Sequence, residues 1–259
     1  MNQNLFSLRD KVILITGGYG YLGKFITEGL LQSEGTVVVL GRSLEKFQAA
    51  FPSPSTQLYF HATDVGNPTS IKESLEMIVS RFKKIDVFIN NAFYNKGNQP
   101  LAISDEDFAY SLDGNLGTVY RCIREVVPYM QAHGSGRIIN VASMYGMVSP
   151  DFGVYVGLEQ FLNPPHYGAA KAGVLQLTRY FACYLGKDNI LVNAITPGPF
   201  PNETVQQNEP FISNLEAKSP LGRIGKPEEL KGIFIFLCSD QATYITGQNF
   251  VVDGGWTAW

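Results

Sequence analysis

Short, continuous apolar runs alternate along this chain with amphipathic stretches of about 12–20 residues. A glycine cluster follows the first run directly, and polar or glycine residues recur where later runs end. Together these predict an α/β fold: a doubly wound, Rossmann-type parallel sheet of about seven strands with helices on both faces. The 259 residues, 45% of them hydrophobic, suffice for one large core. They are read as one unit, 1–259, because no Pro/Gly/Ser-rich linker, repeat or low-complexity segment interrupts them and this fold class reaches about 250 residues in one domain.

Residues 11–16 form the first strand, apolar enough to be buried on both faces. It runs into Gly17-Gly18-Tyr19-Gly20-Tyr21-Leu22-Gly23 and then a helical pattern through Leu31. Gly18, Gly20 and Gly23 satisfy G-x-G-x-x-G. Glycines there let the backbone turn tightly against a pyrophosphate, and the helix N-terminus presents free N–H groups to it. The second strand, 36–40, ends in Gly41-Arg42-Ser43 with no carboxylate to bond a ribose 2′-hydroxyl. Room at Gly41, charge at Arg42 and a hydroxyl at Ser43 suit a 2′-phosphate, so NADP is expected over NAD. Ser43 also suits a helix cap, and a solvated Arg42 is the plainer alternative.

The third strand, 58–62, ends at Asp64-Val65. Asp64 either accepts a bond from an adenine amino group or caps its own loop. Asn67-Pro68 reads as an N-cap and first-turn proline, opening a helix to about Phe82. The fourth strand, 85–90, leads to Asn91-Ala92-Phe93. Ser104 with Asp107 opens a long helix over roughly 105–132. Within it, Asn115 is a poor interior residue, so it either serves a polar task or faces water. The fifth strand, 137–142, delivers Ser143. Residues 144–166 form a substrate-side loop rich in aromatics and prolines, and 167–186 a helix. The sixth strand, 190–196, ends in Pro197-Gly198; 199–223 has no clean period and reads as a mobile lid. A helix follows over 227–238, then a last short strand at 250–252.

The glycine loop, Gly41-Arg42, Asp64, Asn91, Ser143 and Pro197-Gly198 thus fall at predicted strand carboxyl ends, where such sheets bind ligands. Tyr167 and Lys171, four apart on a helix, share one face. A fixed ammonium stabilises phenolate, so this pair suits proton transfer to or from an alcohol or carbonyl oxygen near neutral pH. Alone, the pair reads equally well as a packed tyrosine beside a solvated lysine.

These motifs resemble the short-chain dehydrogenase/reductase family, in its single-domain branch of about 250 residues. The resemblance rests on Thr16-Gly17 through Gly23, Asp64-Val65, Asn90-Asn91-Ala92, Asn115, Ser143, Tyr167 with Lys171, Asn193, Pro197-Gly198 and the closing Val252-Asp253-Gly254-Gly255. It implies an NAD(P)-dependent oxidoreductase interconverting a secondary alcohol and a ketone. Tyr167 would be the general acid/base and Lys171 would lower its pKa and bond the nicotinamide ribose. Ser143 would bond the substrate oxygen, and Asn115 would hold a water linking Lys171 to solvent. The cofactor would contact Gly17, Gly20, Tyr21, Leu22, Gly23, Arg42, Ser43, Asp64, Val65, Asn91, Ala92, Tyr167, Lys171, Pro197 and Gly198. The resemblance also implies a homodimer or homotetramer through helices 105–132 and 167–186.

The chain departs from that pattern in three places. Tyr21 stands where the branch usually has glycine, a spacing similar to the family's longer branch. Phe93 replaces the glycine usual after Asn-Asn-Ala and narrows the pocket near the cofactor. Tyr167 follows Ser143 by 24 positions, where about half that is common. The polar run 202–209 favours a sugar-like or other polar carbonyl substrate; a 3-oxoacyl thioester is the alternative. An epimerase or dehydratase usually carries a larger C-terminal substrate domain than the stretch after Gly198. A non-catalytic NAD(P) sensor tends to lose the tyrosine or lysine kept here.

The net charge of −3 gives no general attraction to nucleic acid or anionic membrane. No apolar run approaches the ~18 residues of a membrane span, and residues 1–9 lack the build of a signal peptide. Cys122, Cys183 and Cys238 are odd in number and far apart. They read as free thiols in a reducing, cytoplasmic compartment rather than disulfides or metal ligands, and no metal is expected.

Overall fold

The computed structural model of the protein describes residues 5–53 and 55–258; the outermost residues of the expected 1–259 unit lie outside the described residues. Seven strands form one parallel sheet: β1 (Val12–Thr16), β2 (Thr36–Gly41), β3 (Leu58–Ala62), β4 (Val87–Asn90), β5 (Gly136–Val141), β6 (Ile190–Pro197) and β7 (Asn249–Val252). Their order is β3-β2-β1-β4-β5-β6-β7. The winding reverses between β1 and β4, which opens a crevice at their carboxyl ends. Apolar residues on both faces of β1, β2 and β4 are buried, the reason these runs lack polar alternation.

The helices are α1 (Tyr21–Gln32), α2 (Leu44–Ala50), α3 (Pro68–Phe82), α4 (Asp105–Leu112), α5 (Thr118–His133), α6 (Pro165–Leu185), α7 (Glu203–Gln206), α8 (Glu209–Lys218) and α9 (Lys231–Cys238). On one face Leu75 of α3, Ile123 of α5 and Val174 of α6 pack against Leu14 and Phe88. On the other, Ile26 and Leu30 of α1 and Phe234 of α9 pack against Ile13 and Ile89.

Local chemistry sets the helix starts. Asn67 accepts from Thr69 N and Ser70 N, with Pro68 at the first helical position, as the sequence indicates. Helix α6 begins two residues earlier than expected, because Pro165 occupies a first-turn position that needs no N–H. The expected helix 105–132 is α4 and α5 joined by a π-helical turn, Asp113–Gly117. There Asn115 Nδ2 donates to Ser111 O at 2.9 Å and Thr118 Oγ1 to Gly114 O at 3.0 Å, side-chain bonds that compete with the regular ladder. Residues 199–223 contain α7 and α8, opened by the side chains of Asn202 and Asn208; helices this short show no clean period. The helix expected over 227–238 opens as a 3-10 turn, Pro227–Leu230, before α9.

Candidate active site

A cavity of about 470 Å³ lies across the carboxyl ends of β1 to β6. Gly17, Gly20, Tyr21, Leu22 and Gly23 form one wall. Thr16 Oγ1 fixes that wall to β4 by accepting from Asn91 N at 3.0 Å and Ala92 N at 2.9 Å. Asn91 Nδ2 returns to Thr16 O at 3.0 Å and Gly17 O at 3.1 Å. A Cβ at Gly23 would run into Gly17 O and Asn91 Nδ2, so this close approach requires glycine. The first-turn amides of α1 have no acceptor within the helix and border the cavity.

Of the other expected residues, Arg42, Asp64, Val65, Asn91, Ala92, Ser143, Tyr167, Lys171, Pro197 and Gly198 also line the cavity. Asp64 does so while capping its own loop, Oδ1 accepting from Gly66 N at 2.9 Å. Ser43 and Asn115 do not line it. The Ser43 hydroxyl is engaged as the cap of α2, accepting from Lys46 N at 3.1 Å. Asn115 is buried in the π turn, where Nδ2 also donates to Tyr94 O at 3.1 Å. Its Oδ1 is buried with no hydrogen-bond partner among the described residues, an orphan of the kind buried water satisfies.

Helix α6 is held in place by a buried ladder: Asn90 Nδ2 donates to Asn140 Oδ1 at 2.8 Å, and Asn140 Nδ2 to Thr178 Oγ1 at 2.9 Å. After β5, Ser143 accepts from Tyr145 N at 3.2 Å and opens a 3-10 turn, Met144–Gly146. That turn presses on α6 at two glycines. A Cβ on Gly146 would lie 2.7 Å from Lys171 C, and one on Gly168 would lie 2.8 Å from Tyr145 O.

Lys171 is 3% exposed. Its Nζ donates to Val141 O at 2.8 Å and lies 5.5 Å from the Phe93 ring centroid and 5.7 Å from that of Tyr167. Burial holds its pKa down at about 8. Burial pushes the Tyr167 phenol above its ordinary range, and only the Ser143 hydroxyl opposes the rise. The net shift is thus upward, against the lowering expected from Lys171: burial dominates, and the ammonium is turned onto the Val141 carbonyl.

The stretch 144–166 packs Val154 and Tyr155 against Phe211 and Leu215 of α8 and against Trp256. The Phe161 and Phe211 rings stack at 4.5 Å, and the hydroxyls of Tyr145 and Tyr155 meet at 2.6 Å. In the polar run 202–209, Asn202 and Asn208 cap helices, and Gln206 Nε2 donates to Tyr21 Oη at 3.2 Å. Sequence reasoning missed Tyr19, Tyr94 and Phe200, which also line the cavity. Tyr94 follows a strand end by four residues, the one signal that pointed to it. Tyr19 lies within the glycine motif itself, and Phe200 is brought in by a turn no local pattern encodes.

Residues 22–257 match the family model described as Enoyl-(Acyl carrier protein) reductase. The chain belongs to the short-chain dehydrogenase/reductase family. A 3-oxoacyl-[acyl-carrier-protein] reductase of Thermotoga maritima is 35% identical, the match covering 96% of this chain and 98% of that protein. A short-chain dehydrogenase of Leptospira borgpetersenii with bound NAD+ is 30% identical with a TM-score of 0.86, covering 99% of this chain and 97% of that one. A gluconate 5-dehydrogenase of Burkholderia cenocepacia, in complex with NADP and tartrate, is 26% identical with a TM-score of 0.88, covering 99% and 98%. As a short-chain dehydrogenase/reductase, the chain is an NAD(P)-dependent oxidoreductase acting on CH–OH and carbonyl groups.

Proposed function

We propose that this chain uses NADP(H) to interconvert a ketone and a secondary alcohol, with Tyr167 as the proton donor and acceptor. The observation that carries the reading is the meeting of Ser143, Tyr167 and Lys171 in the cavity that the glycine turn also lines. The cavity fits a dinucleotide: Gly23 admits the close turn, and the free amides of α1 suit a pyrophosphate. When bound there, the dinucleotide supplies or takes up the hydride. Ser143 donates to the substrate oxygen and stabilises the charge that develops on it. The Tyr167 phenol, protonated at neutral pH as any ordinary phenol is, passes its proton to an alkoxide forming beside it. Lys171 would bond the nicotinamide ribose of a bound dinucleotide, and its ammonium would favour the phenolate left behind.

NADP is favoured over NAD by Arg42, which is exposed at the end of β2 and makes no hydrogen bond to the described residues, and by the lack of a carboxylate at 41–43. A 3-oxoacyl thioester is the second reading of the substrate, favoured by the 35% identical reductase. A homodimer formed through α5 and α6 is supported by the aromatic side chains those helices expose, Tyr120, Tyr180 and Tyr184. A cytoplasmic location suits three thiols that remain free. Tyr167→Phe tests the central assignment: turnover falls by at least ~100-fold, the scale of a lost general acid, while NADPH still binds. Undiminished turnover in that variant removes Tyr167 from the chemistry. NADPH oxidation assayed against ketones, keto-sugars and 3-oxoacyl thioesters separates the substrate readings.

A further inference from the structure

We propose that Tyr19 is the second arm of a 2′-phosphate clamp whose first arm is Arg42. The chain thereby selects NADP(H) with a phenol carried on its own glycine loop. The proposal deepens the NADP reading above and rests on it.

Tyr19 sits in the middle of the glycine turn and lines the cavity beside Gly41 and Arg42. Its ring lies directly over Gly41. A Cβ at that position would stand 2.8 Å from Tyr19 Oη and 2.9 Å from Cζ, so glycine at the end of β2 is what lets the ring reach across. The ring also packs against Phe60, with centroids 6.4 Å apart. Ser43 N–H donates to Tyr19 Oη at 3.3 Å. The phenol oxygen therefore has a donor, while its own hydrogen has no acceptor among the described residues and is free to donate.

This corner thus offers an O–H donor and an exposed guanidinium without a partner among the described residues. Asp64 is the one carboxylate among the described residues lining the cavity, and Gly66 N occupies one of its oxygens. A ribose 2′-hydroxyl is best met by a carboxylate acceptor. A phosphate dianion only accepts, and donors to it form charge-assisted bonds. Two donors and no carboxylate at residues 41–43 match the phosphate. The phenol also accounts for Ser43: its N–H fixes Tyr19 while its hydroxyl caps α2.

Calorimetric titration of the intact protein with 2′,5′-ADP and with 5′-AMP tests this, since the probes differ only in the 2′-phosphate. The wild-type protein binds 2′,5′-ADP more tightly. Tyr19→Phe keeps the ring and loses roughly tenfold for 2′,5′-ADP, the scale of one hydrogen bond to a charged group, with AMP affinity unchanged. Gly41→Ala, which displaces the ring, produces the same selective loss. Equal weakening of both probes by Tyr19→Phe, or tighter 2′,5′-ADP binding, overturns the clamp. If Arg42→Ala is selective and Tyr19→Phe is not, the NADP reading stands and the Tyr19 role falls. If the wild-type protein binds both probes alike, the NADP reading itself falls.

Discussion

Lys171 shows at the scale of one residue how a site is built against stability. Its ordinary pKa of 10.5 drops to about 8 because the ammonium is buried, with the Val141 carbonyl as its hydrogen-bond acceptor. Below pH 8 both folded and unfolded chains carry the proton, and the folded state bears the whole desolvation cost. Between pH 8 and 10.5 the unfolded chain binds more protons, so this group makes stability rise with pH. At about 1.4 kcal/mol per pKa unit, the cost removed is on the order of 3 kcal/mol. Cys122 and Cys238, which burial pushes up to about 12, act in the opposite direction above their ordinary pKa. The informative quantity is therefore the difference between wild type and Lys171→Met. Denaturant unfolding without cofactor should find the variant more stable at pH 7, with that gain shrinking toward pH 10. A constant difference across that range would show that Lys171 does not titrate as described. The Tyr167–Lys171 pair was legible from spacing alone; the direction of the Tyr167 shift was not, because it depends on where Nζ points.

Among the elements, the decisive contact is between the turn after Ser143 and α6. Gly146 and Gly168 let two backbones touch, which sets Ser143 against Tyr167. In Gly146→Ala the new methyl meets Lys171 C, Ala172 N and Lys171 O at 2.7–2.9 Å, and backbone atoms cannot rotate away. Overpacking of this kind costs about 1–3 kcal/mol. Relief by separating the turn from α6 should lower kcat about tenfold or more, since misplacement of a reacting group is costly, and leave NADPH affinity nearly intact. Thermal unfolding and steady-state kinetics on the same preparation check both; a normal kcat would mean that Ser143 does not depend on this contact. The strands and α3 could be read in advance, since continuous apolar runs and the Asn67-Pro68 cap are local signals. Helices α7 and α8 could not, being too short for periodicity. The bond from Asn115 to Tyr94 O and the packing of Tyr155 on Phe211 depend on partners remote in sequence.

For the molecule as a whole, the outer face of α6 is the surface that bears on assembly. The inner face of α6 carries Lys171 and Thr178 toward the sheet. Its outer face exposes Tyr180 and Tyr184, each 59% exposed, with rings stacked 6.2 Å apart. Tyr120 of α5 is 45% exposed nearby, and Leu112, Leu116 and Leu177 line a shallow groove between these helices. Aromatic side chains at the centre of an association surface commonly dominate its energetics. Light scattering on the intact protein should give two or four times the chain mass of 28.6 kDa. Tyr180→Glu places a charge in the middle of that face and should shift the mass toward 28.6 kDa. Because the same helix carries Tyr167 and Lys171, dissociation leaves α6 supported on one side only, and kcat should fall with the mass. A wild-type protein that runs at the single-chain mass with full activity would show that α6 needs no second copy, leaving the Asn90–Asn140–Thr178 ladder as its anchor.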